Sequence, residues 1–65
     1  YLDVAVYNIH GQKVRQLVSG HVQAGSHRFK WDGRSERGHE AASGMYIIRM
    51  RMQGQQTSQQ IVLLR

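Results

Sequence analysis

The chain of 65 residues contains no cysteine and no proline, and only four acidic residues stand against nine lysines and arginines. The absence of cysteine excludes disulfides and thiolate metal sites. The absence of proline means that no segment is barred from being an interior strand. No apolar run approaches the roughly 18 residues that a membrane-spanning helix needs. A chain this short forms one small domain, and its small core leaves it marginally stable.

The formal net charge of +5 is compatible with nucleic acid, acidic polysaccharide or anionic lipid as a partner. The basic residues are dispersed, however, and several alternate with apolar residues, which is typical of a solvated sheet face. Sheets that bind nucleic acid carry exposed aromatic side chains on the basic face. In the predicted strands, Arg28, Lys30, Arg49 and Arg51 alternate with the aromatic residues Phe29, Trp31 and Tyr46. We therefore expect no nucleic-acid partner.

Alternation of apolar and polar residues predicts five short strands, separated by turns that contain glycine. The predicted strands are residues 1–7, 13–18, 26–31, 45–53 and 57–64. No segment has a helical period, so we expect an all-β fold, a small antiparallel β-sandwich or barrel. Five strands are few for a closed sandwich. Either the sheets are small, or a further strand lies upstream of Tyr1.

Two segments depart from simple alternation. Val14 and Leu17 are three residues apart, so strict alternation would place them on opposite faces. A β-bulge would bring both to the core, and so would a single helical turn. The second departure is residues 61–64, which are apolar on both faces. That run predicts a strand covered on both sides.

The segment from Trp31 to Tyr46 has the pattern of one corner of a sandwich. Trp31 lies two residues after Phe29, on the same face of the predicted strand, which favours packing in the core over a stacking platform for a ligand. An aspartate before glycine, here Asp32, more often bonds nearby backbone amides than acts as an acid or a metal ligand. Gly33 and Gly44 supply backbone freedom, since no phosphate-binding pattern surrounds them.

No combination of residues predicts catalysis. The serines lack the Gly-x-Ser-x-Gly turn of a strained nucleophile, and no two carboxylates are placed to face each other across a cleft. The spacing of the histidines matches no standard metal-ligand pattern. These histidines are His10, His21, His27 and His39. We expect no enzyme, no catalytic or metal site, no cofactor and no small-molecule ligand.

The order of short motifs along the chain is more specific than any one of them. The motifs are Val4-x-Val6-Tyr7-Asn8-Ile9-x-Gly11-Gln12-x-Val14-x-x-Leu17, then Ala24-Gly25, Trp31-Asp32-Gly33, Gly38, Ala42-Ser43-Gly44-x-Tyr46 and Ile61-Val62-Leu63-Leu64-Arg65. This order resembles the type A C-terminal sorting domains of the bacterial type IX secretion system. The Trp-Asp-Gly, Gly and Gly-x-Tyr core also resembles the immunoglobulin-like domain of flagellar hook-capping proteins.

The resemblance implies an immunoglobulin-like β-sandwich and a role outside the cytoplasm. Residues 1–65 would form one C-terminal sorting or interaction domain of a longer secreted protein, because Tyr1 opens directly in a strand pattern with no signal peptide before it. Such a domain directs its cargo through the periplasm and the outer membrane to the cell surface, with the secretion machinery as partner. The alternatives are a structural module of a hook cap or extracellular filament, which contacts neighbouring subunits, and a carbohydrate-binding module.

A small sandwich that lacks a strand exposes unpaired backbone groups, and strand addition by a partner satisfies them. We expect docking either at the edge beside residues 1–7 or at the terminal strand. The terminal docking residues would be Ile61, Val62, Leu63, Leu64 and Arg65. The structural signature of the domain would be Trp31, Asp32, Gly33, Gly44 and Tyr46.

Overall fold

The alternating segments form one antiparallel sheet in the computed structural model, which describes residues 1–22 and 30–64. Its four strands are β1 (Leu2–Tyr7), β2 (Lys13–Gly20), β3 (Gly44–Met52) and β4 (Gln55–Leu63), in the spatial order β2-β1-β3-β4. The predicted all-β antiparallel fold is confirmed. None of the described residues belongs to a helix long and apolar enough to cross a membrane.

Four of the five predicted strands are present, with ends that differ from the prediction by one or two residues. The remaining one, residues 26–31, lies mostly outside the described residues, and so do His27, Arg28 and Phe29. Its last two residues, Lys30 and Trp31, are described and lie outside any strand. Trp31 therefore reaches the sheet from a loop.

Strand β1 is the centre of the sheet and carries most of its core. Leu2, Val4 and Val6 face one side and are 3%, 0% and 0% exposed, while Ala5 on the other side is 2% exposed. Both backbone edges of β1 are occupied, by β2 on one side and by β3 on the other. The expectation that a partner docks beside residues 1–7 is therefore wrong, because these two strands already take that edge.

The irregular spacing in β2 is resolved by two bulges. Val4 pairs with Val18 and Ala5 with Gln16, which leaves Leu17 as an extra residue. A second register shift between Val6 and Tyr7 leaves Val14 as an extra residue in the same way. Both extra side chains are half-buried. The bulge is thus the correct one of the two alternatives that the sequence left open.

Strands β3 and β4 form a hairpin with a two-residue turn and an unbroken register from Met52↔Gln55 to Gly44↔Leu63. Both turn residues have positive φ, 47° at Gln53 and 81° at Gly54. This is the type I′ geometry, whose twist matches that of the flanking strands. Glycine takes such a φ without strain, whereas glutamine does not.

The apolar end of β4 is only partly covered. Ile61 and Leu63 are half-buried, but Val62 is 62% exposed and Leu64 is 84% exposed. The expectation of a strand covered on both sides is wrong for the described part of the chain. The physical reason is position: β4 is the outermost strand of a single sheet, so its second face and outer edge meet no other described element.

The turn geometry predicts that Gln53→Asn stabilises the domain. Asparagine adopts positive φ more readily than glutamine and is preferred at the first position of a type I′ turn, so the free energy of unfolding should rise by about 0.5 kcal/mol. Gln53→Val should lower it by about 1 kcal/mol, since a β-branched residue is strained there. Urea denaturation of the three proteins measures both changes. Destabilisation by asparagine would contradict the turn assignment.

Candidate functional site

Trp31 packs against Tyr46 at one end of the sheet. The ring centroids are 5.0 Å apart with an interplanar angle of 66°, an edge-to-face arrangement. Tyr46 is 8% exposed and its hydroxyl donates to the Ala42 carbonyl at 2.7 Å. The Trp31 indole N–H donates to the Arg34 carbonyl at 2.9 Å. The half-buried Trp31 side chain therefore uses both its ring and its N–H within the chain, an arrangement suited to packing rather than to stacking on a ligand.

Asp32 and Gly33 shape the turn that follows Trp31. The Arg34 N–H donates to Asp32 Oδ1 at 2.9 Å, the side-chain-to-backbone bond expected of an aspartate before glycine. Arg15 of β2 places its Nη1 at 3.7 Å from the same oxygen. Gly33 is buried with a φ of 77°, and its carbonyl accepts from the Ala41 N–H at 2.8 Å. The turn is thereby closed on itself and tied to β2.

Residues 34–40 fold into a compact loop that covers the outer edge of β2. The Glu36 N–H donates to the Val14 carbonyl at 3.0 Å, and the Gln16 N–H donates to the Glu36 carboxylate. Arg15 adds a hydrogen bond from Nη1 to the Ser35 carbonyl at 3.2 Å. Glu36 therefore acts like a short piece of added strand at the bulged part of β2. The sequence contains no short-range signal for this contact, because it joins residues about twenty positions apart.

The outer edge of β4 differs from the loop-covered edge of β2. No strand among the described residues pairs with it. Residues that flank a two-residue turn are hydrogen-bonded to each other, and such pairs alternate with pairs that point their backbone groups away. The N–H and C=O groups that point outward from the sheet therefore belong to Gln56, Ser58, Gln60 and Val62. This row is called the β4 edge below.

The structure brings the expected docking residues next to the corner. Tyr46 pairs with Ile61, and Gly44 pairs with Leu63. The apolar end of β4 thus lies beside the Trp31–Tyr46 contact, while Arg65 lies outside the described residues. The β4 edge extends further than the docking segment expected from the sequence, since it begins at Gln56. Sequence reasoning missed the polar part because glutamine and serine carry no apolar signal.

Arg49 and Arg51 of β3 lie on the side of the sheet opposite Trp31, called the basic face here. The Arg49 guanidinium sits 4.6 Å above the centroid of the Tyr7 ring, and the Arg49 Nε is buried without a hydrogen-bond partner among the described residues. Tyr7 thus places one aromatic ring on the basic face, whereas the expectation of no nucleic-acid partner rested on Phe29, Trp31 and Tyr46. Within residues 1–22 and 30–64, no cluster of three histidine or acidic side chains could hold a metal ion.

The ring contact predicts a measurable coupling between Trp31 and Tyr46. Trp31→Leu and Tyr46→Leu should each lower the free energy of unfolding by about 2 kcal/mol. The double variant should lose about 1 kcal/mol less than the sum, because edge-to-face pairs contribute about that much beyond their buried area. Chemical denaturation measures the cycle. Met52→Ala, at the far end of β3, serves as the control partner, and equal coupling to it would contradict a direct contact.

Asp32 should stabilise the turn through its hydrogen bond more than through its charge. Asp32→Asn keeps an oxygen acceptor for the Arg34 N–H and should cost about 0.5 kcal/mol or less, since the ion pair with Arg15 is solvent-exposed. Asp32→Ala removes both interactions and should cost about 1 kcal/mol more. Denaturation in low and high salt separates the two terms, because salt screens only the ion pair. Equal losses for both variants would contradict this assignment.

Comparison with protein families supports the resemblance to the hook-capping domain, one of the two families named above. The model of the FlgD Ig-like domain matches residues 1–56, a range that includes β1, β2, β3 and the Trp31–Tyr46 corner. No curated protein and no solved structure matches the chain. The sorting role in type IX secretion stays a prediction. Because the match covers well over half of the sequence, the chain belongs to the FlgD Ig-like domain family.

Proposed function

We propose that the chain is a non-catalytic structural module of an exported assembly of the flagellar hook-cap kind, and that it joins its partner by strand addition at the β4 edge. The observation that carries this proposal is the unpaired row of backbone groups on an outer strand of the described sheet. The family match supports the hook-cap setting over the sorting role. Together these observations favour an interaction module in an extracellular structure.

The β4 edge has the chemistry that strand addition requires. Its outward N–H and C=O groups supply main-chain hydrogen bonds, which give affinity without demanding a particular partner sequence. The strand is regular over its whole length, with no bulge that would twist the edge away from a partner. Gln56, Ser58 and Gln60 are exposed, so their side chains can contact an added strand. Val62 adds an exposed apolar contact at the end of the row.

The corner residues support a structural role over carbohydrate binding. A carbohydrate-binding module stacks sugars on an exposed aromatic face. Trp31 instead packs on Tyr46 and donates its indole N–H to Arg34. The carboxylate of Asp32 likewise contacts the Arg34 amide and Arg15. These side chains hold the fold, so the proposal assigns binding to β4 and not to the corner.

A second function is favoured by one observation, the exposed apolar end of β4. Val62 and Leu64 are 62% and 84% exposed, and the family match stops at residue 56, before this segment. An exposed apolar strand end is a suitable recognition element for a secretion machine. In that case the chain directs a cargo through the outer membrane to the cell surface, and Ile61 to Leu64 make the contact.

One substitution in the polypeptide that carries this chain, expressed in its own cell, tests the proposal. Ser58→Pro removes an outward N–H from β4 and leaves the bonds to β3 intact. Export should be unchanged, and the number of complete hooks seen by electron microscopy should fall at least about tenfold, since the proline ring obstructs the added strand and one main-chain hydrogen bond is lost. Ser58→Ala keeps the N–H and is the matched control. Circular dichroism of both purified proteins verifies the fold.

The same experiment separates the two functions. If Ser58→Pro or deletion of residues 61–64 retains the polypeptide inside the cell, the sorting role is supported and the hook-cap role is wrong. If both export and assembly are normal with Ser58→Pro, strand addition at the β4 edge is wrong. Loss of assembly with both Ser58→Pro and Ser58→Ala would also contradict it, because alanine leaves the backbone donor in place.

A further inference from the structure

The β4 edge and the basic face share the same residues of β4. In a strand, residues whose backbone groups point to one side also carry their side chains on one face. Ser58 pairs with Arg49 and Gln56 pairs with Arg51, so these β4 side chains lie on the basic face. A strand added at the β4 edge would place the side chains that face Gln56, Ser58 and Gln60 on the basic face as well. The arginines of β3 therefore bear on what kind of strand fits the edge.

The basic face carries positive charge that the described sheet does not neutralise. Of the four acidic residues, only Asp3 lies in a strand, and its carboxylate accepts a hydrogen bond from the Gln16 side chain. The Arg49 guanidinium is held above the ring of Tyr7. Arg51 is exposed and makes no ion pair with any residue that the structure describes. Both guanidinium groups thus lack a carboxylate partner within the described part of the chain.

An added strand would bring its side chains within reach of these two arginines. Neighbouring strands are about 4.8 Å apart, so a strand beyond β4 would lie about 10 Å from β3. Ser58, whose side chain is short, is the residue that stands between Arg49 and the added strand. Arg51 and Gln56 line an open groove of about 270 Å³ beside the β3–β4 turn. The long arginine side chain can bend across this space to meet a carboxylate.

We propose that the strand added at the β4 edge is an acidic segment of another protein, with aspartate or glutamate at alternate positions that face Arg49 and Arg51. The inference rests on the proposed function, because it names the chemistry of the strand that is added there. Arginine binds carboxylates through two parallel N–H donors, so the pairing selects acidic side chains at defined positions along the strand. The net charge of +5 also attracts such a segment from a distance.

A second copy of this chain does not supply an acidic strand. No charged residue occurs between Arg51 and Arg65, so β4 itself brings no carboxylate to the contact. Asp3 lies in β1, whose two backbone edges are already occupied by β2 and β3. Charge complementarity therefore favours a different protein as the partner.

Peptide binding tests the proposal on the purified polypeptide that carries this chain. The probe is a fluorescently labelled nine-residue peptide that alternates threonine and glutamate, because its acidic side chains then share one face of a strand. A peptide that alternates threonine and lysine is the matched probe of opposite charge. In fluorescence anisotropy titrations at 0.15 M salt, the glutamate peptide should bind at least about tenfold more tightly than the lysine peptide.

Three variants locate the contact. Arg51→Glu should weaken binding of the glutamate peptide about tenfold and strengthen binding of the lysine peptide, since an attraction is replaced by a repulsion. Arg37→Glu makes the same change in net charge in the exposed loop beside β2. Four strand spacings, about 19 Å, separate β2 from the added strand, which exceeds the screening length of about 8 Å, so this control should change the affinity less than about twofold. Ser58→Pro should weaken binding of the glutamate peptide about tenfold.

Several outcomes would overturn the acidic partner. They are equal binding of the two peptides, no binding of the glutamate peptide at about 1 mM, and equal effects of Arg51→Glu and Arg37→Glu. Binding that Ser58→Pro leaves unchanged would also overturn it, because the peptide would then contact the basic face without joining the edge. Circular dichroism of each variant verifies that the sheet is intact.

Failure of this inference can be distinguished from failure of the proposed function. If cells that carry Ser58→Pro lose hook assembly while cells that carry Arg51→Glu assemble normally, strand addition at the β4 edge stands and the acidic partner is wrong. If the glutamate peptide binds as expected while cells that carry Ser58→Pro assemble normally, the edge takes an acidic strand and the hook-cap role is wrong.

Discussion

The pairing of β1 on both sides is the constraint on which the rest of the structure depends. A chain this small has little core to bury, and β1 contributes buried side chains to both faces of the sheet. Because β2 and β3 flank it and β4 pairs with β3, the edges of the sheet that the described residues form are β2 and β4. The loop around Glu36 then covers part of β2. Accessible backbone is left on β4 as a consequence of where β1 lies.

The Trp31 corner covers part of one face of the described sheet. Trp31 comes from a loop, not from a strand, and its position is set by contacts with Tyr46 and Arg34. The Asp32–Gly33 turn then carries the chain to β2, where Arg15 contacts both Asp32 and Ser35. The same few residues thus cover the core and secure the loop that protects an edge. Under the proposed function, binding and stability are thereby separated, with stability at the corner and the accessible edge on β4.

The local sequence pattern was enough to predict most of the strands, but it did not predict which strands pair with each other. Alternation located β1 and β3, and Gln53-Gly54 located the hairpin turn, since both signals depend on residues close in sequence. Alternation carries no information on which strand pairs with which, so the central place of β1 was not predicted. The Val14–Leu17 spacing was compatible with a bulge or a helical turn, and only pairing with β1 decided between them. The Glu36 contact was missed for the same reason.

The β3–β4 hairpin has a further consequence for the dynamics of the domain. Among the strands that the structure describes, β4 is bonded to β3 alone, through a ladder that runs outward from the two-residue turn. Hairpins with such local contacts form within microseconds, and a strand held on one side opens at a lower free energy than the core. The strand can therefore detach and return while β1 stays buried between its two neighbours. The domain thus combines a core around β1 that opens slowly with a strand β4 that opens quickly. Strand β4 can therefore change its pairing without unfolding of the other three strands.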